Sequence, residues 1–113
     1  MRAVDKLCKV GAHPNIVPVL RLGEFPSSYH FLDMELCDIN LEKYITRDWT
    51  TSVQAKMPFF TAEMSPLMRM FQVWEIMENI TSAVAFIHEN KEVHRDLKPR
   101  NGNLSYNVLC NKN

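Results

Sequence analysis

Residues 94–101 read His-Arg-Asp-Leu-Lys-Pro-Arg-Asn and place a carboxylate, an ammonium group and a carboxamide in one short stretch. The carboxylate of Asp96 could orient a hydroxyl group and accept its proton. Lys98 could neutralise negative charge on a phosphate. The amide oxygen of Asn101 could bind Mg²⁺, a hard cation that prefers oxygen ligands. This set of residue types predicts phosphate chemistry.

The same string matches the protein-kinase catalytic-loop motif H-R-D-x-x-x-x-N at every fixed position. The chain therefore resembles a protein kinase, and the Lys-Pro pair after Asp96 resembles the serine/threonine branch of that family. The resemblance implies ATP-dependent phosphoryl transfer to protein hydroxyl groups, with ATP and Mg²⁺ as cofactors. It implies catalytic roles for Asp96, Lys98 and Asn101, and a metal-binding role for Asn101.

Two alternatives apply to this motif. A lone Asp or Lys is by default a solvated surface residue, so the kinase interpretation depends on the complete string. The family motif continues into an apolar strand, whereas residues 102–107 intervene here before Val108 and Leu109. Asn107, which precedes these two apolar residues, is therefore an alternative to Asn101. We retain Asn101 because of its spacing from Asp96.

The stretch from Leu67 to Glu89 is predicted to be the long core helix that leads into the loop, because its apolar residues follow i, i+3, i+4 spacing. The predicted core positions are Met70, Val73, Trp74, Met77, Ile80, Val84 and Ile87. Further apolar side chains widen this face beyond what one neighbouring element would cover. We therefore expect a large exposed apolar surface, or a docking partner that covers it.

The N-terminal third is predicted to contain a helix and two strands. Helical spacing from Met1 to Val10 precedes Gly11, a plausible stop. A strand is predicted over Ile16–Leu22, with Pro18 at a sheet edge or a bulge because proline donates no ladder hydrogen bond. A second strand is predicted over Tyr29–Leu36. The expected fold class is α+β.

The family resemblance divides the chain into segments of a partial protein-kinase fold. Residues 1–36 resemble the end of the N-lobe sheet and 37–46 the hinge and a short helix. Residues 47–66 are expected to be a variable connection, 67–101 the long helix with the catalytic loop, and 102–113 an irregular tail.

Three residues at the second strand's end are implied to bind the nucleotide. Met34 would be the gatekeeper, and backbone groups of Glu35 and Cys37 would bind the adenine edge. Any apolar strand end that leads into a loop could look the same. The hinge interpretation is supported by the separation of these residues from the catalytic loop along the sequence.

Several parts of a kinase domain are not found in the 113 residues. The three glycines, Gly11, Gly23 and Gly102, are too far apart for a glycine-rich loop, and no Asp follows Asp96 to supply a D-F-G motif. The strand lysine and the helical glutamate are expected before Met1, and an A-P-E segment is not present. We therefore expect a truncated domain with weak nucleotide binding and little activity alone. The alternatives are a pseudokinase-like interaction module and a truncated gene product.

Composition limits the partners and the compartment. Thirteen basic and thirteen acidic residues cancel, so neither nucleic acid nor an anionic membrane is an expected partner. The three cysteines lack paired spacing, which indicates reduced thiols in an intracellular compartment, cytoplasmic or nuclear. No apolar stretch approaches the ~18 residues of a membrane span. A protein substrate or docking partner is expected instead.

Overall fold

The computed structural model describes residues 2–49 and 64–104. The helices are α1 (Arg2–Leu7), α2 (Leu41–Thr46) and α3 (Pro66–Glu89), and a 3₁₀ turn covers Pro99–Asn101. The strands are β1 (Val19–Glu24), β2 (His30–Met34), β3 (Ile39–Asn40) and β4 (Asn103–Leu104). This mixture of helices and small sheets confirms the predicted α+β class. No helix in the two described ranges combines the length and the apolar character needed to cross a membrane.

The chain divides into two compact units. The first comprises the N-terminal residues up to Leu36 together with Asn79–His94, and the second comprises Cys37–Glu78 together with the residues from Arg95 onwards. Helix α3 contributes its N-terminal half to the second unit and its C-terminal half to the first.

In the first unit, β1 and β2 form an antiparallel hairpin in which Leu22 lies opposite Leu32. The prediction that the first strand covers Ile16–Leu22 was wrong at both ends. β1 starts only after Pro18 and continues to Glu24. Proline has a fixed φ and no N–H, so ladder pairing begins with the next residue. The register is irregular between Val19 and Arg21, next to the proline, as expected for a residue that must lie at an edge or a bulge.

One face of the hairpin is covered by the ring of Phe31. The guanidinium of Arg21 lies 5.3 Å from the ring centroid, and the Phe25 ring is 5.0 Å away. Arg21 also donates to Asp33 across the strands, with 2.7 Å between Nε and Oδ2. The Phe31 ring lies directly over Gly23, where a Cβ would come within 2.2 Å of the ring. Glycine is therefore required at position 23 for this ring position.

The first unit also contains a loop anchored to the C-terminal half of α3. The prediction that the first helix extends to Val10 and stops at Gly11 was wrong, because α1 already ends at Leu7. Gly11 lies four residues further on, in a turn, and adopts φ +80°, which glycine tolerates without steric cost. The imidazole of His13 packs on Phe86 at 5.1 Å between ring centroids, and its Nε2 lies 3.1 Å from Ser82 Oγ. The Asn15 N–H donates to Nδ1 of the same ring, so Nε2 carries the proton that bonds Ser82. The conformation of this loop therefore depends on contacts of His13 with a helix about 70 positions later in the sequence.

The long predicted helix is confirmed as α3, and its start has two local causes. Ser65 Oγ accepts a hydrogen bond from the Met68 N–H at 3.3 Å, as an N-cap does. Pro66 is the first helical residue, where its missing N–H is not needed.

The predicted core face of α3 was wrong. Ile76 and Ala83, seven positions apart, are its buried residues, so the covered stripe follows two helical turns. Five predicted core residues, Met70, Val73, Trp74, Met77 and Ile80, are exposed, and Trp74 is 64% exposed. The helix is apolar around much of its circumference, and the periodicity alone does not say which stripe a neighbour covers. The expected large exposed apolar surface is confirmed.

Among the described residues of the second unit, Ile39, Ile76 and Leu104 form a buried core. Leu41, Tyr44 and Trp49 pack against it. β3 pairs with β4, so that Ile39 lies opposite Leu104. The prediction of an irregular tail from residue 102 was wrong at Asn103 and Leu104, because burial of Leu104 and backbone pairing order this part of the chain. Most of the predicted variable connection, residues 50–63, and the rest of the tail, including Asn107, lie outside the described residues.

Candidate active site

The chain enters the loop through residues with left-handed backbone conformations. Lys91 has φ 64° and Arg95 has φ 68°. Such angles are uncommon for residues with a side chain and cost roughly 1–2 kcal/mol each, so contacts elsewhere must stabilise this path. Arg95 directly precedes Asp96 and therefore determines the direction in which Asp96 leaves the backbone.

The carboxylate of Asp96 is the centre of a small polar cluster. Lys98 Nζ lies 3.1 Å from Oδ1, and Asn101 Nδ2 donates to Oδ2 at 2.9 Å. The same amide nitrogen donates to the backbone carbonyl of Asp96 at 3.0 Å. The structure thus brings together the three residues that the sequence motif singled out as catalytic.

A tight turn produces this convergence. Lys98 is extended, Pro99 begins the 3₁₀ turn, and the Asn101 N–H donates to the Lys98 carbonyl at 2.9 Å. Gly102 closes the turn with a 3.3 Å bond to the Pro99 carbonyl. The fixed φ of proline suits the first turn position, which explains why the chain reverses there. The side chain of Asn101 is consequently directed back to Asp96.

The cluster is open to solvent. The side chains of Asp96 and Lys98 are 64% and 50% exposed. An ion pair with this exposure contributes at most about 1 kcal/mol to folding. Its importance is therefore geometric: it holds a carboxylate and an ammonium group side by side on an accessible surface, where a hydroxyl group and a phosphate could approach them.

The donor set suits Mg²⁺ better than a transition metal. The 2–49 and 64–104 ranges contain no group of three or more His, Cys, Asp or Glu side chains that could hold a metal ion. Mg²⁺ commonly takes only one or two protein oxygens and completes its octahedron with water and substrate phosphate oxygens. Asn101 uses Nδ2 toward Asp96, so its Oδ1 is the amide atom suited to a cation. The residues present therefore fit a magnesium ion that arrives with a nucleotide.

The three predicted adenine-binding residues fall in different units. Met34 ends β2 in the first unit, paired with Val19, and its side chain is exposed. The Glu35 N–H donates to the Pro18 carbonyl over a long 3.4 Å. Cys37 is half-buried in the second unit, which also contains Asp96, Lys98 and Asn101. Nucleotide binding by Met34, Glu35 and Cys37 stays a prediction.

Sequence reasoning missed the residues that support the turn. Glu42 accepts a hydrogen bond from Arg100 Nε at 3.2 Å, although the two residues are 58 positions apart. The Leu41 N–H donates to the Gly102 carbonyl at 2.7 Å. No local motif signals such contacts. The nearest usable signal is Asn40, which caps α2 by accepting the Lys43 N–H at 2.9 Å and so begins a helix directly before Glu42.

Comparison with known proteins identifies the origin of this arrangement. The family model described as "Protein kinase domain" matches residues 2–109. Serine/threonine-protein kinase PrkC of Bacillus subtilis is 36% identical over 89 residues, which cover 79% of this chain and 11% of PrkC. Probable serine/threonine-protein kinase PknB of Lactococcus lactis is 33% identical over 91 residues, 80% of this chain and 12% of PknB.

A third relative is the serine/threonine-protein kinase/endoribonuclease ire-1 of Caenorhabditis elegans, 28% identical over 100 residues, 88% of this chain and 9% of ire-1. The chain spans only about a tenth of the length of these relatives. No solved structure matches significantly.

Proposed function

The chain belongs to the protein kinase domain family, and from this premise we propose that residues 94–101 transfer a phosphoryl group from ATP to a serine or threonine hydroxyl when joined to the rest of a kinase domain. The observation that carries the proposal is the convergence of Lys98 and Asn101 on the two carboxylate oxygens of Asp96. The serine/threonine branch is supported by the relatives PrkC and PknB.

Each residue has a distinct proposed role. Asp96 accepts the proton of the substrate hydroxyl as that oxygen forms a bond to the γ-phosphorus; the bond from this phosphorus to the bridging oxygen breaks, and ADP leaves. Lys98 places a positive charge where negative charge accumulates on the transferring phosphate. Asn101 binds Mg²⁺ through Oδ1, and the ion supplies charge neutralisation on the phosphate oxygens. Catalysis in this class consists mainly of positioning and electrostatic stabilisation, which an accessible, hydrogen-bonded cluster can provide.

ATP and Mg²⁺ are the cofactors of protein kinases as a family, and their binding by this chain is part of the proposal. Met34 is proposed as the gatekeeper, and the backbones of Glu35 and Cys37 are proposed to bind adenine. Residues 1–36 then form the end of the N-lobe, 37–46 the hinge with its short helix, and 67–101 the start of the helical lobe. A protein substrate and an intracellular location are proposed on the same family grounds.

The 113 residues alone are expected to be inactive. They contain no glycine-rich loop and no D-F-G aspartate. Loss of one electrostatic stabiliser typically costs ~10²–10³ in rate, and two such losses compound. Purified chain, Mg-ATP and a generic serine/threonine peptide should give no turnover above that of Asp96→Ala. Turnover that requires Asp96 would contradict the expected inactivity.

A chimera tests the proposed chemistry directly. Residues 2–109, the part of this chain that the family model matches, replace the corresponding segment of the kinase domain of PrkC. We expect the chimera to phosphorylate a generic substrate, and Asp96→Ala to lower kcat by ~10²–10⁴, the usual range for general-base loss. Asp33→Asn, which removes an exposed carboxylate from the hairpin, is the control and should leave kcat unchanged. A folded chimera without activity, or with activity indifferent to Asp96, refutes the proposal.

A second candidate function is a non-catalytic interaction module. The observation that favours it is the exposed apolar surface of α3, on which Leu67, Met70, Phe71, Trp74 and Met77 are each at least half exposed. Patches of this kind usually mark sites of protein contact. We propose that a protein segment covers this surface. A monodisperse monomer in light scattering that binds no hydrophobic dye would count against it.

Thermal shift measurements separate the two candidates. A catalytic fragment that retains the nucleotide site should be stabilised by Mg-ATP, because a ligand that binds only the folded state raises the melting temperature. An interaction module should show no such shift. The Asn101→Ala variant supplies the matched control for the metal-dependent part of any stabilisation.

A further inference from the structure

The turn that carries Asn101 is held from the side by a distant segment of the second unit. The Leu41 N–H donates to the Gly102 carbonyl at 2.7 Å, and the Asp38 N–H donates to the Leu104 carbonyl at 3.0 Å. These backbone bonds fix the chain just after Asn101, and neither of them involves Pro99, Arg100 or Asn101 itself.

A side-chain hydrogen bond also reaches the turn from this segment. Arg100 Nε donates to Glu42 Oε2 at 3.2 Å. Arg100 is the middle residue of the three-residue 3₁₀ turn, directly before Asn101. Because the turn is so short, fixing Arg100 restricts the orientation of the next side chain, whose amide must reach Asp96.

Glu42 is itself well anchored. It lies in the first turn of α2, whose N-terminus is capped by Asn40 Oδ1. The neighbouring side chains Leu41 and Tyr44 pack against the buried core of the unit, and the Tyr44 hydroxyl donates to Gln72 Oε1 at 2.9 Å. Glu42 therefore lies on a well-supported helix, and its carboxylate accepts the hydrogen bond from the turn.

We propose that Glu42 is a positioning residue for Asn101 and acts through Arg100. The ion pair holds the 3₁₀ turn in the orientation in which Asn101 Nδ2 reaches Asp96 and Oδ1 is presented to a cation. This inference rests on the proposed function insofar as it treats Asn101 as a working part of the site. The positioning itself is a property of the second unit and can be measured without catalysis.

The structure provides a matched control. Arg21 and Asp33 form another ion pair on an equally exposed surface, with side chains 71% and 47% exposed against 70% and 47% for Arg100 and Glu42. Exposed pairs contribute little to global stability, so unfolding measurements would not distinguish the two. A signal from the Asn101 side chain would distinguish the two ion pairs, because of these two carboxylates Glu42 is the one bonded to the turn.

The experiment is ¹⁵N NMR of the whole 113-residue chain, with the Asn101 side-chain NH₂ signals assigned by their loss in Asn101→Ala. The Asp96→Ala variant gives the signal positions when the carboxylate bond to Asn101 is absent. Glu42→Gln and Arg100→Gln should each move the Asn101 signals toward those positions. The charge reversal Glu42→Arg with Arg100→Glu should bring them back toward wild type, and Asp33→Asn should leave them in place.

Ionic strength supplies a second test, which compares wild type with Glu42→Gln alone. Raising salt to 1 M shortens the screening length to about 3 Å and should move the wild-type Asn101 signals in the same direction as Glu42→Gln. The Glu42→Gln variant should respond less than wild type, because the Asp96–Lys98 pair is then the remaining ion pair beside Asn101 that salt can screen. This arm remains decisive if Arg100→Gln or the charge reversal fails to fold.

The outcomes are separable from those of the chimera. Unmoved Asn101 signals in Glu42→Gln and in high salt overturn the positioning role, as does an equal movement in Asp33→Asn or a reversal that restores nothing. An inactive chimera refutes the proposed phosphoryl transfer, while the NMR result still decides whether Glu42 orients Asn101.

Discussion

The β1–β2 hairpin and the loop at residues 94–104 differ in the sequence separation of the contacts that stabilise them. The hairpin is stabilised by neighbours in sequence: the Arg21–Asp33 pair spans 12 positions, and Phe31 covers Gly23 on the adjacent strand. The loop is supported across about 60 positions, by the Arg100–Glu42 pair and the Leu41–Gly102 bond. The segment with the most recognisable sequence is therefore the one whose geometry depends most on tertiary contacts.

The largest effect should come from the core behind the loop. Leu104→Ala removes a buried side chain that packs with Ile39 and Ile76, and should lower the free energy of unfolding by ~2–5 kcal/mol. The loop's amide signals should be lost at lower urea than those of the hairpin, because no hairpin residue belongs to this core. Urea unfolding followed by NMR measures both quantities.

Leu67→Ala is the control for this prediction. It makes the same change at a residue of α3 that is 59% exposed, and should alter stability by less than ~0.5 kcal/mol. Equal losses in the two variants would show that Leu104 is not a core residue and would remove the distinction between loop and hairpin.

A smaller effect should distinguish the two regions by their glycines. Gly23→Ala places a methyl group where the Phe31 ring lies, and the displaced ring loses its contacts with Phe25 and Arg21, so a loss of ~1–3 kcal/mol is expected. Gly102→Ala meets Leu41 Cβ at 3.5 Å, an ordinary contact, at φ −87°. It should be neutral or stabilising by ~0.4–1 kcal/mol through the unfolded state.

Thermal and urea unfolding of the two glycine variants check this contrast. If Gly102→Ala destabilised the chain as much as Gly23→Ala, the loop would be packed more tightly around position 102 than the 3.5 Å contact indicates. The contrast between the two glycines would then be lost.

The smallest expected effect is a fall in the free energy of unfolding at alkaline pH, caused by Tyr44 in the second unit. Burial raises the pKa of the Tyr44 hydroxyl, and the positive charge of Arg69 partly opposes this. A raised folded-state pKa means that the folded chain holds the proton longer than the unfolded chain. The stability from this group is therefore complete below the ordinary tyrosine pKa of 10.0 and is lost as pH rises through the folded value.

Tyr44→Phe tests this dependence. It removes the bond to Gln72 and should cost ~0.5–1.5 kcal/mol at pH 8, with a smaller further loss than wild type when the pH rises to 11. The measurement must compare the two proteins at each pH, because burial also raises the pKa of Cys8, which contributes in the same direction above its ordinary value of 9.0. Parallel pH profiles for the two proteins would contradict the assignment to Tyr44.

Most of the local structure could be predicted from sequence because local signals cause it. Pro18 delays a strand, and the spacing of apolar residues from Leu67 identifies α3. The covered face of α3 was not predictable, because the helix is apolar on more sides than one and only its neighbours decide that Ile76 is buried while Trp74 is exposed.

The sequence by itself determined the family and the identity of the three polar residues at the candidate site, because Asp96, Lys98 and Asn101 lie within a string that matches every fixed position of a family motif. Only the tertiary structure decided how they are held: the pairing of β3 with β4, the burial of Leu104 and the reach of Glu42 to Arg100. The physical reason is range. Spacing along a chain encodes turns and helices, whereas contacts between residues about 60 positions apart arise only when packing brings their segments together.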